Sequence, residues 1–168
     1  NAALEIATGG IIGLFDADHH PDRGVFDKAW CWIADGYDAV QGRCVVRSDP
    51  GSSKRAALLA PVIAAEFETM YAVGHPGRRR VHGIGFFAGS NGYWNADALR
   101  AIRFDPSALT EDIDASARVL LGGGRIAADP GIVSSESAPA TLASLSGQRL
   151  RWAQGWFQVS KRYLSRLV

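Results

Sequence analysis

Two aspartates one residue apart, Asp16 and Asp18, follow the apolar run Ile11-Ile12-Gly13-Leu14-Phe15. A strand that ends on acidic side chains puts oxygen donors where α/β sheets hold ligands, outside the carboxyl ends of strands. Carboxylates there suit a hard divalent ion, Mg²⁺ or Mn²⁺, which can in turn carry a diphosphate. Spacing alone does not make the case. Roughly two acidic pairs at i,i+2 arise by chance in a chain of this acidity, and three occur: Asp16/Asp18, Glu66/Glu68 and Asp112/Asp114. The alternative reading of the first pair is a solvated turn.

Two further clusters carry chemistry. In Leu109-Thr110-Glu111-Asp112-Ile113-Asp114, Thr110 reads as a helix cap and the carboxylates as first-turn residues favoured by the helix dipole. That capping reading is the usual one; the functional reading makes Asp112 a general base on an attacking hydroxyl. In Gln148-Arg149-Leu150-Arg151-Trp152, helical spacing puts Gln148, Arg151 and Trp152 on one face and turns Arg149 away. An amide, a guanidinium and a flat ring on one face suit an anionic, sugar-bearing ligand. The competing reading is an amphipathic helix with Trp152 in the core. His19 and His20 read as polar surface at the loop mouth and as possible metal neighbours. His82, Cys31 and Cys44 read as packing residues, with one disulfide left open. Arg78, Arg79 and Arg80 read as a solvated loop.

The elements that must position these residues alternate. An apolar strand over 11–15, buried on both faces, precedes the acidic loop; Pro21 opens a helix over 23–34, and a second strand covers 38–48. A turn at 49–53 leads into a long helix over 54–73, rich in Ala, Leu and Glu. Residues 75–80 read as a loop, and 81–94 as strand, glycine-broken turn and a further strand or helix entry. Asn95 caps a short helix to 102, Thr110 another to 121, and 124–136 forms a closing strand and loop. One long helix runs over 141–168. The alternation is α/β.

Bulk properties narrow the class. At 168 residues, 47% hydrophobic and 21% charged, the chain suits a folded domain with a real core. A net charge of +1 gives no electrostatic footprint for nucleic acid. No run reaches the ~18–20 apolar residues that cross a bilayer, and no signal peptide is evident. The chain starts without Met on what reads as a helix tail, so it is expected to be a piece of a longer protein. After Glu136 no acidic residue occurs, while Arg149, Arg151, Lys161, Arg162 and Arg166 follow. Trp152, Trp156, Val159, Tyr163 and Leu167 recur at helical spacing beside Phe157, Leu164 and Val168. That basic amphipathic pattern fits a membrane interface, or equally a helix docked on other protein.

Together the clusters "DAD", "TED" and "QRLRW", in that order, resemble the signature of processive family 2 glycosyltransferases, the synthases of cellulose, chitin, hyaluronan and poly-N-acetylglucosamine. "NAAL" and "FFAGSNG" resemble further segments of that family, and the likeness covers essentially the whole chain. It implies a GT-A-like nucleotide-diphospho-sugar transferase fold, incomplete here for want of the N-terminal nucleotide-binding strands. It implies a partial catalytic domain over 1–138 and, over 139–168, the "QRLRW" helix running into a membrane-interfacial stretch. Asp16 and Asp18 would hold Mg²⁺ or Mn²⁺, with Asp18 the direct ligand. Asp112 would be the base, with Thr110 and Glu111 shaping its site. Gln148, Arg151 and Trp152 would line the junction of donor diphosphate and growing chain, with Arg149 counted in the same segment and Gly89 and Ser90 nearby. The implied partners are a nucleotide-sugar donor (UDP-glucose or UDP-N-acetylglucosamine), a polysaccharide or glycolipid acceptor, and the cytoplasmic side of the cell membrane through flanking helices. The isolated chain is expected to be inactive. Three other readings stand beside this one. They are a non-processive family 2 enzyme with a lipid acceptor, a haloacid-dehalogenase-like phosphotransferase, and a domain that keeps the fold but only binds.

Overall fold

The computed structural model describes residues 1–47 and 53–166. Its sheet holds β1 (Ile11–Leu14), β2 (His20–Pro21), β3 (Ala39–Arg47), β4 (Gly92–Asn95) and β5 (Ile126–Ser137), in the order β1-β4-β3-β5-β2. Among the described residues only β3 and β5 pair in parallel. A parallel pair demands a long crossover. The chain supplies it with α2 (Lys54–Phe67), a π-helical turn (Glu68–Gly74), α3 (His75–His82), α4 (Ala96–Ile102) and α5 (Glu111–Leu121). Two further helices are α1 (Val25–Ala34) and α6 (Leu142–Tyr163).

Strand side chains alternate between two cores, as the pleat requires. Ala39, Trp94 and Ile126 face one side, against Leu99 of α4 and Ala115 and Val119 of α5. Val40, Tyr93 and Ala127 face the other, against Val25 and Ala29 of α1. A third cluster joins Cys44 of β3 to Ile63 and Phe67 of α2 and to Tyr71 in the π turn, with Trp152 of α6 packed against it. Helices therefore cover both faces of a mixed sheet, and the expected α/β class is the observed one.

Several local expectations are corrected. The strand over 11–15 lies at the edge of the sheet and is only half buried, because β4 alone pairs with it. Pro21 does not open a helix; it sits in β2 opposite Ser134, and α1 starts after Gly24. The stretch 75–80 is helix, not loop. Pro76 sits where the π turn passes into α3, inside a helical run that continues over Ala56–His82, and His75 stacks on Tyr71 at 5.2 Å. Of the turn over 49–53, only Ser53 lies within the described residues; its hydroxyl accepts from Ala56 N–H at 3.3 Å and caps α2. Residues 84–91 form no strand. Cys44 is a buried thiol but Cys31 is exposed, both are free, and His82 is exposed rather than packed.

Among the described residues one helical run, Ala56–His82, is long and apolar enough to cross a membrane by length and composition. It is not an unbroken apolar stretch in sequence, because Glu66 and Glu68 interrupt it. Its Ile63, Phe67 and Tyr71 are buried in the third core cluster, which sets one face against the domain, while Leu58, Val62, Val73 and Val81 stay exposed.

Asn95 caps α4 as expected, accepting from Asp97 N–H at 2.9 Å and Ala98 N–H at 3.1 Å. Thr110 stands at the start of α5, but its side chain makes no cap hydrogen bond. α6 opens with a reciprocal cap between Thr141 and Ser144 and ends at Tyr163, followed by a 3₁₀ turn, Leu164–Arg166. Its apolar face divides. Val159 and Tyr163 dock on α5, whereas Trp156, Phe157 and Leu164 are exposed. Leu167 and Val168 lie outside the described residues.

Candidate active site

Antiparallel pairing of β1 with β4 brings the chain leaving Leu14 beside the chain entering Gly92. The acidic loop and the Gly89-Ser90 loop thus share one end of the sheet, and Asp16 N–H donates to Ser90 Oγ at 2.9 Å. Two buried amides hold the second loop. Gln41 Nε2 donates to Ser90 O at 2.9 Å while its Oε1 accepts from Ala88 N–H at 2.7 Å. Asn91 Nδ2 donates to Arg43 O at 2.9 Å and to Ile132 O at 3.1 Å, bridging β3 and β5 at their bulge. A strand-borne Gln and a turn Asn look like ordinary polar residues in sequence. Here they set the backbone from which Gly89 and Ser90 reach the site.

The other wall comes from α5 and α6. Tight packing is enforced at Gly155, where a Cβ would stand within 2.5 Å of Thr110 Oγ1. A buried ionic hub locks the same pair of helices. Asp114, fully buried, accepts from Arg118 Nε at 2.8 Å, Arg162 at 2.8 Å and Tyr163 Oη at 2.9 Å. Arg162 also reaches Asp105 at 2.7 Å. The start of α5 and the C-terminal half of α6 are therefore fixed relative to each other.

The result is one open cleft. Asp16 from the acidic loop, Gly89 and Ser90, Thr110, Glu111 and Asp112 of α5, and Gln148, Arg151 and Trp152 of α6 all line it. Two of the residues singled out in sequence do not. Asp18 is exposed and turns aside; its Oδ2 accepts from Ser137 N–H at 3.2 Å, tethering the loop to the end of β5. Arg149 leaves the cleft for Glu66 at 2.5 Å and lies over the Trp152 ring at 4.2 Å, so it holds Trp152 from behind.

The electrostatics of the cleft are uneven. Burial pushes the Asp112 carboxyl up to about 6, helped by the neighbouring charge of Glu111 and opposed by backbone N–H groups and Arg151. A carboxylate poised there can take a proton near neutral pH. Withdrawal from water raises the Asp16 carboxyl; the His19 charge opposes this, while Glu136, Asp18 and Glu111 add to it. Several carboxylates acting on one another make the acidic loop a fit for a divalent cation, with Asp16 the donor already in the cleft.

Residues that sequence reasoning passed over share the lining: Cys44, Tyr71, His75, Glu136 and Trp156. Burial holds the His75 imidazole down at about 4, aided by the Arg78 charge, so it is neutral at pH 7. His75 Nδ1 and Thr110 Oγ1 are both buried without a protein partner. Two unmade hydrogen bonds in a cleft wall are costly unless a hydroxyl-bearing ligand completes them. His19 is not polar surface: its side chain is fully buried between Ser134 and Glu136.

The family model described as "Glycosyl transferase family group 2" matches residues 11–168. No curated protein matches the chain. A mannosyltransferase from Pyrobaculum calidifontis, PcManGT, solved in complex with GDP-Man and Mn²⁺, superposes with a TM-score of 0.68 at 22% identity, covering 98% of this chain and 42% of its own. TarS 1-349 of S. aureus, in complex with UDP-GlcNAc, gives a TM-score of 0.51 at 14% identity, covering 87% of this chain and 40% of its own. At those identities the likeness shows the fold, a GT-A-type α/β domain. The chain spans about two fifths of the length of the solved structures it matches.

Proposed function

The chain belongs to glycosyl transferase family group 2, and from that premise we propose that it forms part of the catalytic domain of an inverting, processive glycosyltransferase. The donor is a nucleotide-sugar, UDP-glucose or UDP-N-acetylglucosamine, and the acceptor is the end of a growing β-linked polysaccharide. One observation carries this reading. Nine residues from segments as far apart as Asp16, Ser90, Asp112 and Arg151 line a single cleft.

Each residue then has a task. Asp112 takes the proton of the acceptor hydroxyl as its oxygen bonds to the anomeric carbon. The bond from that carbon to the diphosphate breaks on the opposite face, which inverts the centre. Arg151, exposed in the cleft, meets the charge that builds on the departing diphosphate. Asp16, with Asp18 behind it in the same loop, would hold Mg²⁺ or Mn²⁺; when bound, that ion supplies Lewis-acid neutralisation of the same charge. Thr110, Glu111, Gly89 and Ser90 shape the space around the base. Gln148 offers hydrogen bonds, and Trp152 a flat face along which a sugar chain can lie. The Mn²⁺ in the Pyrobaculum mannosyltransferase complex supports the metal assignment.

Residues 1–138 would supply the chemistry and 139–168 the acceptor wall and the approach to the cytoplasmic face of the cell membrane. Exposed Leu58 of α2 and Leu142 of α6 line a common apolar groove, with Phe157 and Leu164 further along α6. Exposed Lys161 and Arg166 stand nearby in sequence, and the combination suits an anionic lipid surface.

The test uses membranes carrying the full-length protein, supplied with each labelled nucleotide-sugar in turn and Mg²⁺ or Mn²⁺. Long polymer formed from one donor, and lost in Asp112→Asn, supports the proposal. A single-sugar glycolipid as product would remove processivity, and label transfer retained in Asp112→Asn would remove the mechanism.

A further inference from the structure

His19, Cys44 and Glu136 come together although the loop before β2, β3 and β5 deliver them from remote parts of the chain. The imidazole nitrogen, the thiol sulfur and a carboxylate oxygen all lie within 4.8 Å of one another. His19 Nε2 is 3.1 Å from Glu136 Oε2, and His19 Nδ1 is 3.0 Å from Ser134 Oγ. The His19 side chain is fully buried and Cys44 is 1% exposed, so two members of the trio cannot be solvated spectators. Glu136 keeps partial access to solvent, and Cys44 and Glu136 both open onto the cleft next to Asp16.

Nitrogen, sulfur and oxygen donors in one shell are the donor set of a borderline ion such as Zn²⁺, not of Mg²⁺. The present spacing needs the sulfur to close by about 1 Å, since tetrahedral zinc carries sulfur at ~2.3 Å and nitrogen or oxygen at ~2.0–2.2 Å. Ser134 already fixes the second imidazole nitrogen, which is how ligating histidines are oriented. The cleft leaves the fourth position open.

We propose that His19, Cys44 and Glu136 form a zinc-binding site in the wall of the cleft, and that zinc bound there inhibits the enzyme by drawing the Asp16 carboxylate away from the donor. On binding, the Cys44 thiol gives its proton to solvent and the sulfur–metal bond forms; no electron changes hands. Only the inhibition rests on the transferase reading. Metal binding itself does not.

The experiment strips metal from the full-length protein and titrates it with Co²⁺, whose thiolate bond gives a near-ultraviolet charge-transfer band, and then with chelator-buffered Zn²⁺. The expected result is a band in the unaltered protein and in Cys31→Ser, its loss in Cys44→Ser, and Zn²⁺ affinity lowered more than about tenfold in Glu136→Gln. Glu136→Gln keeps the shape of the site and so separates loss of a ligand from loss of the fold. Absence of the band in the unaltered protein, or a band that survives Cys44→Ser, overturns the site. Zn²⁺ that binds with these signatures yet leaves Mn²⁺-supported transfer unchanged overturns the inhibition alone. A protein inactive under every condition but showing the cobalt band would sink the transferase reading and leave the site standing.

Discussion

Asp112 and Gly89 face each other with nothing between them: Asp112 Oδ2 stands 3.2 Å from the position a Cβ on Gly89 would take, and Gly89 holds φ +91°. A side chain there would be strained by its backbone and would push on the carboxylate at the same time. Gly89→Ala is therefore expected to reduce transfer by as much as ~100-fold through displacement of the base. The loss should fall on kcat more than on donor KM. Steady-state kcat and donor KM, measured separately, check this; a loss confined to KM would mean the glycine serves the donor.

The raised Asp112 carboxyl makes two pH predictions of opposite value to the protein. As a base it works only when ionised, so transfer should rise with pH and level off above about 6. For stability the sign reverses from the usual carboxylate case. Below the unfolded value of 3.8 both states hold the proton and nothing is gained or lost. Between 3.8 and about 6 the unfolded chain ionises first, and above about 6 the folded state carries the whole cost. Asp112→Asn should thus abolish turnover yet raise stability at pH 7 by on the order of 1–3 kcal/mol, with the gain vanishing toward pH 4. Melting curves across pH for both proteins measure it.

Asp114 differs from Asp112 in kind, although only Ile113 separates them. It is fully buried and accepts from Arg118, Arg162 and Tyr163. Asp114→Ala removes the centre of that hub and leaves buried donors unpaired, at a cost of about 3 kcal/mol. Arg162→Ala takes away only a partly exposed partner and should cost about 1 kcal/mol or less. Comparing the two melting temperatures tests whether α5 and α6 are held from the aspartate side.

What could be read in the sequence was local. The cap at Asn95 depends on groups three residues apart, and the shared face of Gln148, Arg151 and Trp152 depends only on helical pitch. The acidic loop followed from an apolar run ending on carboxylates. The edge position of β1 and the parallel pairing of β3 with β5 were not legible, because both depend on partners some eighty residues away. The same holds for Gln41 and Asn91, which brace the Gly89-Ser90 loop across 49 and 48 positions. His19 looked like loop surface since its partners, Ser134 and Glu136, lie 115 and 117 positions on. Helix continuity through 75–80 was hidden by Pro76, which reads as a helix breaker in sequence, whereas the π turn just before it carries the helical run onward.

Arg149 and Arg151 sit two residues apart in one motif and should behave differently. Arg151 lines the cleft beside Asp112 and has only a long contact to Leu109 O at 3.5 Å, so its guanidinium is free for a ligand. Arg149 is spent on Glu66 and on the back of the Trp152 ring. Losing a donor aimed at developing charge typically costs ~10²–10³ in kcat, and that is the expectation for Arg151→Ala. Arg149→Ala loses a surface ion pair and a stacked cation, together about 1–2 kcal/mol of local stability, and acts on rate by loosening Trp152 and Gln148, whose Oε1 accepts from Arg149 at 2.7 Å. Its kcat should fall much less, and Arg149→Met, which keeps the apolar stem over the ring, should recover part of the difference. Equal kcat losses in Arg149→Ala and Arg151→Ala would mean that the motif works as a single anion-binding unit, against the division of labour drawn from the cleft.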